Sequence, residues 1–130
     1  MNSGGFSIEP VVQHRDARGS VVEPIAIEAL RAQGNAHLVL TEPGCVRGNH
    51  YHPRGAEVSL IIGPALVRVQ LEDGIKDIHV PDGEAYRFYF PPGLPHAAQN
   101  TGTRTSVMVA FNTEPYDRAN PDVVAHVLIQ

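Results

Sequence analysis

The stretch GCVRGNHYHPRGAEVSLIIG, residues 44–63, decides how the rest of the chain is interpreted. It places His50 and His52 two positions apart and then adds Glu57 in the next apolar run. Residues two apart in a β-strand share one face, so both imidazoles point the same way. We expect the turn at 53–55 to fold the following strand back antiparallel beside the first, which brings Glu57 next to both rings.

Two imidazoles and one carboxylate form a facial ligand set for divalent first-row metals, and this set leaves other coordination positions open for water or substrate. A fourth candidate ligand lies in FPPGLPHAAQN, residues 90–100, where His96 opens a strand after a rigid turn. The sequence therefore predicts most of a divalent metal site. Zinc, nickel, manganese and iron are the candidate ions.

Arg47 and Tyr51 flank the histidines and are candidates for substrate binding. By strand parity both side chains point away from the face that carries His50 and His52. A bulge at Gly48 would change this for Arg47 and turn it inward.

The other polar residues with metal-binding or nucleophilic chemistry are expected to have structural roles. Cys45 falls on the opposite strand face from the site and is expected to be a small buried packing residue. Surface or hydrogen-bonded core positions are expected for the remaining histidines, which are His14, His37, His79 and His126.

Short β-rich runs broken by turn residues cover most of the chain, and this rhythm predicts a sandwich or barrel. The expected strands are 36–40, 46–52, 56–62, 65–71, 75–80, 85–90, 96–100, 106–111 and 123–129. Hairpin turns are expected at Asp73-Gly74 and at Asp82-Gly83, and one or two helical turns within 24–34.

Composition excludes several classes of protein. A length of 130 residues allows one domain, and 12 glycines with 11 prolines suit an all-β protein rich in turns. The net charge of -4, with Lys76 as the single lysine, argues against a nucleic-acid partner. We expect no membrane partner and a cytoplasmic location, because the sequence has no membrane-length apolar run and no signal-peptide pattern. A single cysteine excludes an intramolecular disulfide.

Two groups of spaced residues resemble the motifs of the cupin superfamily. The first group, at 44–63, consists of Gly44, His50, His52, Glu57 and Gly63, and the second, at 83–100, of Gly83, Pro91, Gly93, His96 and Asn100. The resemblance implies an all-β double-stranded β-helix, a jelly-roll barrel, formed by a single domain over 1–130. It also implies that a divalent metal is bound inside the barrel by His50, His52, Glu57 and His96.

A narrower resemblance covers most of the chain. RGNHYH at 47–52, RDARGSVVEP at 15–24 and FNTEPYDRANPDVV at 111–124 resemble the C-terminal cupin domain of bifunctional capsule-sugar epimerase/reductases. They are similar, more distantly, to nucleotide-sugar ketoisomerases and 3,5-epimerases. The resemblance implies an epimerase or isomerase of surface polysaccharide biosynthesis. Its substrate would be a small nucleotide-linked keto-sugar, and its catalytic site would contain His50, His52 and His96.

Two other functions stay open at this point. The same ligand set suits a non-haem metal dioxygenase-like cupin, and a non-catalytic cupin that binds a small ligand is the third possibility. Exposed sheet edges in so small a chain also predict a homodimer, in which a terminal strand containing Val123, Val127 and Ile129 covers an edge.

Overall fold

The computed structural model describes residues 5–130. Within this range the chain forms short strands and a single helical turn. In chain order these are β1 (Ser7–Val11), β2 (His14–Asp16), β3 (Gly19–Val21), α1 (Ile27–Leu30), β4 (Asn35–Thr41), β5 (Val46–Tyr51), β6 (Glu57–Ile62), β7 (Ala65–Leu71), β8 (Gly74–Val80), β9 (Ala85–Phe90), β10 (His96–Asn100), β11 (Ser106–Asn112) and β12 (Val124–Ala125).

Ten strands form two five-stranded sheets that enclose the core. The first sheet has the order β1-β9-β6-β11-β4, and the second has the order β12-β5-β10-β7-β8. Strands β2 and β3 form a separate hairpin. Neighbouring strands in both sheets run antiparallel. This architecture confirms the predicted all-β fold.

Apolar side chains from both sheets fill the space between them. Phe88, Val67 and Val69 are fully buried, and burial of a side chain of this size contributes about 1.5 to 3 kcal/mol. The rest of this inner cluster consists of Ile61, Ala65, Val80, Phe90 and Leu94. A second cluster, made by Ile25, Val58 and Phe111, packs residues near α1 against the first sheet.

The predicted strands agree closely with the structure. Three of them, 65–71, 85–90 and 96–100, have the predicted bounds, and the other five between 36 and 111 differ by one residue at one or both ends. Strands β1, β2 and β3 were not expected. The predicted strand 123–129 is wrong for most of its length, since only Val124–Ala125 pairs with β5.

The chain leaves β5 after this short pairing because the Asn49 side chain of β5 binds the backbone of the residues that follow β12. Asn49 Oδ1 accepts the backbone N–H groups of Leu128 and Ile129 at 2.8 and 3.0 Å, and Asn49 Nδ2 donates to the Ile129 carbonyl at 2.9 Å. Ile129 is buried in its own chain, whereas Val123 and Val127 are exposed. Ile129 therefore does not form part of an exposed edge.

The connection between β5 and β6 differs from the prediction. The two strands were expected to pair as a hairpin, but β5 pairs with β10 and β12, and β6 pairs with β9 and β11. The turn at 53–55 therefore carries the chain from one sheet to the other. The Asp82-Gly83 turn also links different sheets, so the hairpin predicted there is wrong, whereas β7 and β8 do form a hairpin.

Two smaller expectations have different outcomes. The segment 24–34 contains one helical turn, Ile27–Leu30, as predicted. Cys45 is exposed in the turn before β5, so the expected burial of this residue is wrong. No helix within residues 5–130 is long and apolar enough to cross a membrane.

Candidate metal centre

Four side chains converge in the space between the two sheets. Each of His50, His52, Glu57 and His96 offers one nitrogen or oxygen atom, and these four atoms all lie within 4.8 Å of one another. The three histidines belong to the second sheet or its end, and Glu57 belongs to the first. Glu57 thus reaches the imidazoles across the barrel interior, rather than from a paired neighbouring strand.

The register of the second sheet brings the histidines together. His50 lies directly opposite His96 in the pairing of β5 with β10, and His52 follows the end of β5. The ring centroid of His50 lies 4.7 Å from that of His52 and 5.0 Å from that of His96. Strand alternation and antiparallel pairing therefore build the three-nitrogen side of the cluster.

Glu57 is buried and held by neighbours on both of its oxygens. Oε1 lies 2.8 Å from His52 Nε2, and Oε2 accepts a hydrogen bond from the Ser59 hydroxyl. Burial raises the pKa of the Glu57 carboxyl, but the hydrogen bonds from His52 and Ser59 and the nearby His96 imidazole outweigh it, so the pKa lies well below its usual range. The group is an ionised carboxylate at neutral pH.

His96 presents an unpaired nitrogen to the cluster. Its Nδ1 donates to the Leu94 carbonyl at 2.9 Å, which directs the lone pair of Nε2 inward. This buried Nε2 atom has no hydrogen-bond partner, and it lies 3.4 Å from Glu57 Oε1. The Phe90 ring stacks on the imidazole at 4.1 Å with an interplanar angle of 7°, which fixes its plane.

The protonation of the other two imidazoles follows from their surroundings. Burial, together with the neighbouring rings of His96 and His52, lowers the pKa of His50 to about 4, so its imidazole is neutral at neutral pH. Burial also lowers the pKa of His52, but the hydrogen bonds to Glu57 and to the Asp122 carbonyl outweigh it and raise the pKa. The contact from His52 Nδ1 to the Asp122 carbonyl is 2.7 Å long.

The residues present fit a divalent ion. Ligand atoms placed about 2.0 to 2.2 Å from a shared ion at right angles lie about 3 Å apart. The observed 2.8 Å between His52 and Glu57 and the 3.4 Å between His96 and Glu57 are of this size. Backbone carbonyls also fix the outer nitrogens of His52 and His96, which is the usual support of metal-binding imidazoles.

A bulge in β5 turns Arg47 toward the interior. The pairing of β5 with β10 shifts between His96 and Ala97, so that Asn49 is the extra residue. Gly48 and Asn49 both have positive φ angles, of 82° and 55°. Arg47 Nε donates to Thr41 Oγ1 at 3.2 Å, and Arg47 Nη2 donates to the Leu40 carbonyl at 2.8 Å. Arg47 lines the same cavity as the cluster.

Tyr51 lies elsewhere. The centroid of its ring lies 6.3 Å from that of His126, on the outer side of β5. Tyr51 is not among the residues that line the cavity. Past the bulge, strand alternation continues and turns this side chain away from His50 and His52. The structure therefore does not bring Tyr51 to the site, and its predicted role in substrate binding has no support in this geometry.

Replacing Gly48 with alanine is expected to damage the site as well as the fold. A Cβ atom at this position would lie 2.8 Å from the His96 carbonyl oxygen and 3.2 Å from Ala97 Cα, so β10 has to move away. The positive φ adds about 1 to 2 kcal/mol of strain for a residue with a side chain. We expect a loss of unfolding free energy above this amount and weaker metal binding, measured by urea denaturation and chelator competition.

Gly44 offers the matched control. Its φ of 80° is nearly the same, but a Cβ atom there would meet nothing within 4 Å. Gly44→Ala should therefore show only the conformational strain and retain normal metal affinity. Equal metal affinity in the two variants would show that the close approach of Gly48 to His96 does not position this ligand.

The cluster lies at one wall of a cavity of about 240 Å³. The lining also includes His37 and Val39 of β4, and Met108, Ala110 and Asn112 of β11. His37, His52 and Asn112 also line an adjoining cavity of about 120 Å³, which extends to the segment 114–123. His37 is exposed, as the expected surface position allows, but its place at the cavity was not predicted. The alternation of β4, which puts His37 on one face with Asn35 and Val39, was the available signal.

Comparison with known proteins identifies a family and a curated relative. Residues 14–124 match the family described as the polysaccharide biosynthesis C-terminal domain. A UDP-2-acetamido-2,6-beta-L-arabino-hexul-4-ose reductase from Pseudomonas aeruginosa is 31% identical over 118 residues, which cover 88% of this chain and 31% of that protein. The chain thus spans about a third of the length of this relative.

Two solved structures share the fold. QdtA, a sugar 3,4-ketoisomerase from Thermoanaerobacterium thermosaccharolyticum solved with TDP, superposes with a TM-score of 0.70 at 19% identity, over 92% of this chain and 86% of its own. ChmJ, a 3'-monoepimerase from Streptomyces bikiniensis solved with dTDP, gives a TM-score of 0.75 at 18% identity, over 96% and 70%. At these identities the similarity establishes the jelly-roll barrel.

Proposed function

The chain belongs to the polysaccharide biosynthesis C-terminal domain family, and from this premise we propose that it is a metal-binding epimerase or isomerase of a nucleotide-linked keto-sugar. The observation that carries the proposal is the cluster of His50, His52, Glu57 and His96 at the wall of a cavity. A reductase of a UDP-linked hexulose, a ketoisomerase and an epimerase among the similar proteins support this choice of substrate.

The chemistry required of such an enzyme is proton transfer at carbon. A C–H bond next to a carbonyl breaks readily only when the negative charge that develops on the enolate oxygen is stabilised. A divalent ion held by the four residues would supply this stabilisation as a Lewis acid. The protein itself contributes the fixed positions of the ligands, through Ser59, the Leu94 carbonyl and the Asp122 carbonyl.

The cavity size determines which part of the substrate reaches the cluster. Its volume of about 240 Å³ is below the range of about 300 to 1,000 Å³ that holds a drug-sized ligand. The keto-sugar ring is therefore the part that enters, and the nucleoside diphosphate lies toward the mouth.

Charge then orients the diphosphate. Arg47 has five N–H donors, of which the contacts with Leu40 and Thr41 use two groups, and the rest can bind phosphate oxygens. The adjoining cavity contains the carboxylates of Glu114, Asp117 and Asp122, which repel an anion. We place the diphosphate beside Arg47, in agreement with the predicted substrate-binding role of this residue.

Exchange of a carbon-bound proton with solvent is the expected activity. Incubated in deuterated water with a panel of UDP-linked and dTDP-linked 4-keto sugars, the protein loaded with zinc, nickel, manganese or iron should remove the proton signal adjacent to the carbonyl. The reaction should need neither oxygen nor a nicotinamide cofactor. Proton NMR follows the signal, and Glu57→Gln should lower metal content and exchange together.

His79→Ala is the control for this experiment, since His79 is exposed on β8 and does not line the cavity. It should retain both metal and exchange. Absence of exchange with every sugar, combined with metal-dependent oxygen uptake on another substrate, would replace the epimerase function by the dioxygenase-like function.

Three expectations from the sequence stay predictions: the single domain over 1–130, the homodimer and the cytoplasmic location. A strictly monomeric species in light scattering at micromolar concentration would contradict the homodimer.

A further inference from the structure

The side chains that line the cavity differ in their capacity to move a proton. Once an ion occupies the four clustered residues, two ionisable side chains remain in the described lining, Arg47 and His37. An arginine guanidinium stays protonated and cannot accept a proton. An imidazole is the side chain whose ordinary titration range includes neutral pH, and it both accepts and donates protons.

Its position suits His37 to this task. His37 lies on β4 opposite Ala110, on the strand that forms the edge of the first sheet. His37 lines the same cavity as the four residues of the cluster, and it also lines the adjoining cavity together with His52. A sugar ring in this cavity would thus lie beside both the cluster and His37.

The imidazole of His37 is also accessible to solvent. The structure gives it no hydrogen-bond partner within residues 5–130, and the residue is exposed. By contrast, His52 and His96 each have one nitrogen engaged by a backbone carbonyl and the other directed into the cluster. Exposure lets a proton held by His37 exchange with bulk water.

Other acids and bases near the mouth are less suitable. Glu114 and Asp122 line the adjoining cavity, and both carboxylates face Arg54, at 3.5 and 3.7 Å. Asp117 accepts the backbone N–H of Ala119 at 3.0 Å. These three residues are not part of the lining around the cluster.

We propose that His37 is the catalytic base that removes the proton next to the carbonyl of the bound keto-sugar; this role rests on the function proposed above. In the step, the C–H bond breaks and its electron pair forms the carbon–carbon double bond of the enolate. The carbonyl π pair moves onto oxygen, and the proton forms an N–H bond with His37. The imidazolium then loses a proton to water, and the enolate carbon takes up a proton of solvent origin.

The test compares His37→Ala, His37→Gln and His79→Ala in the metal-loaded protein. General base catalysis contributes about 100- to 10,000-fold, so we expect kcat for deuterium exchange to fall by this factor in both His37 variants. Metal content and KM should stay near the wild-type values, because His37 belongs neither to the cluster nor to the Arg47 contact. Added imidazole should restore part of kcat in His37→Ala and none in His37→Gln, in which the side chain still fills the space.

The outcomes separate this role from the proposed function. Exchange by the wild type together with undiminished kcat in both His37 variants would overturn the role of His37 and leave the epimerase standing. A loss of activity accompanied by loss of metal, without rescue by imidazole, would also overturn it, since this result indicates a structural role. No exchange by the wild type with any sugar would overturn the proposed function and the role of His37 with it.

Discussion

His96→Ala is expected to lower the affinity of the protein for zinc, nickel, manganese or iron by at least about 100-fold. Changes that only disturb the support of a metal ligand already cost about 10- to 100-fold, and this substitution removes the ligand itself. His96 Nε2 is buried and has no hydrogen-bond partner among the described residues, so a bound ion would satisfy this nitrogen. Competition with a chromophoric chelator and elemental analysis measure the loss.

The controls for this prediction use the same type of residue. His79→Ala removes an exposed strand histidine and should leave the affinity unchanged. Circular dichroism should show that the His96 variant keeps its β structure. A folded His96→Ala protein that binds the ion as tightly as the wild type would remove His96 from the ligand set.

Phe90→Ala is expected to cost about 3 to 5 kcal/mol of unfolding free energy and to weaken metal binding as well. Phe90 is 3% exposed. The centroid of its ring lies 5.8 Å from that of Phe88 and 4.1 Å from that of His96, and both pairs of rings are stacked. The substitution leaves a cavity in the core and frees the imidazole plane of His96. Urea denaturation gives the first effect, and chelator competition gives the second.

Phe88→Ala is the matched control, because Phe88 is fully buried in the same cluster but does not touch the His96 ring in a stack. We expect a similar loss of stability with nearly normal metal affinity in the protein that remains folded. Phe90→Leu, which retains more of the core volume, keeps the comparison possible where the alanine variant does not fold. Equal metal affinity in the Phe88 and Phe90 variants would mean that the stack does not orient His96.

Strand alternation made much of the candidate site predictable. His50 and His52 share a face because the strand has a period of two, and this holds whatever the strand pairs with. The turn before His96 marked the start of β10 at the observed residue. These features are local, and a single sequence contains them in full.

The partners of each strand were not predictable in the same way. Glu57 does reach the imidazoles, but the expected hairpin was the wrong reason, since pairing is decided by the packing of both sheets. Arg47 turns inward only because Asn49 is an extra residue opposite β10, a possibility that the sequence left open. His37 was missed because its place at the cavity depends on β4 forming the edge of the first sheet.

The crossing of the chain between β5 and β6 also has a consequence for stability. The three histidines belong to the second sheet or its end, whereas Glu57 belongs to the first. An ion bound by all four residues would therefore join the two sheets, and it would bind the folded protein more tightly than the unfolded chain. Bound metal should then raise the free energy of unfolding.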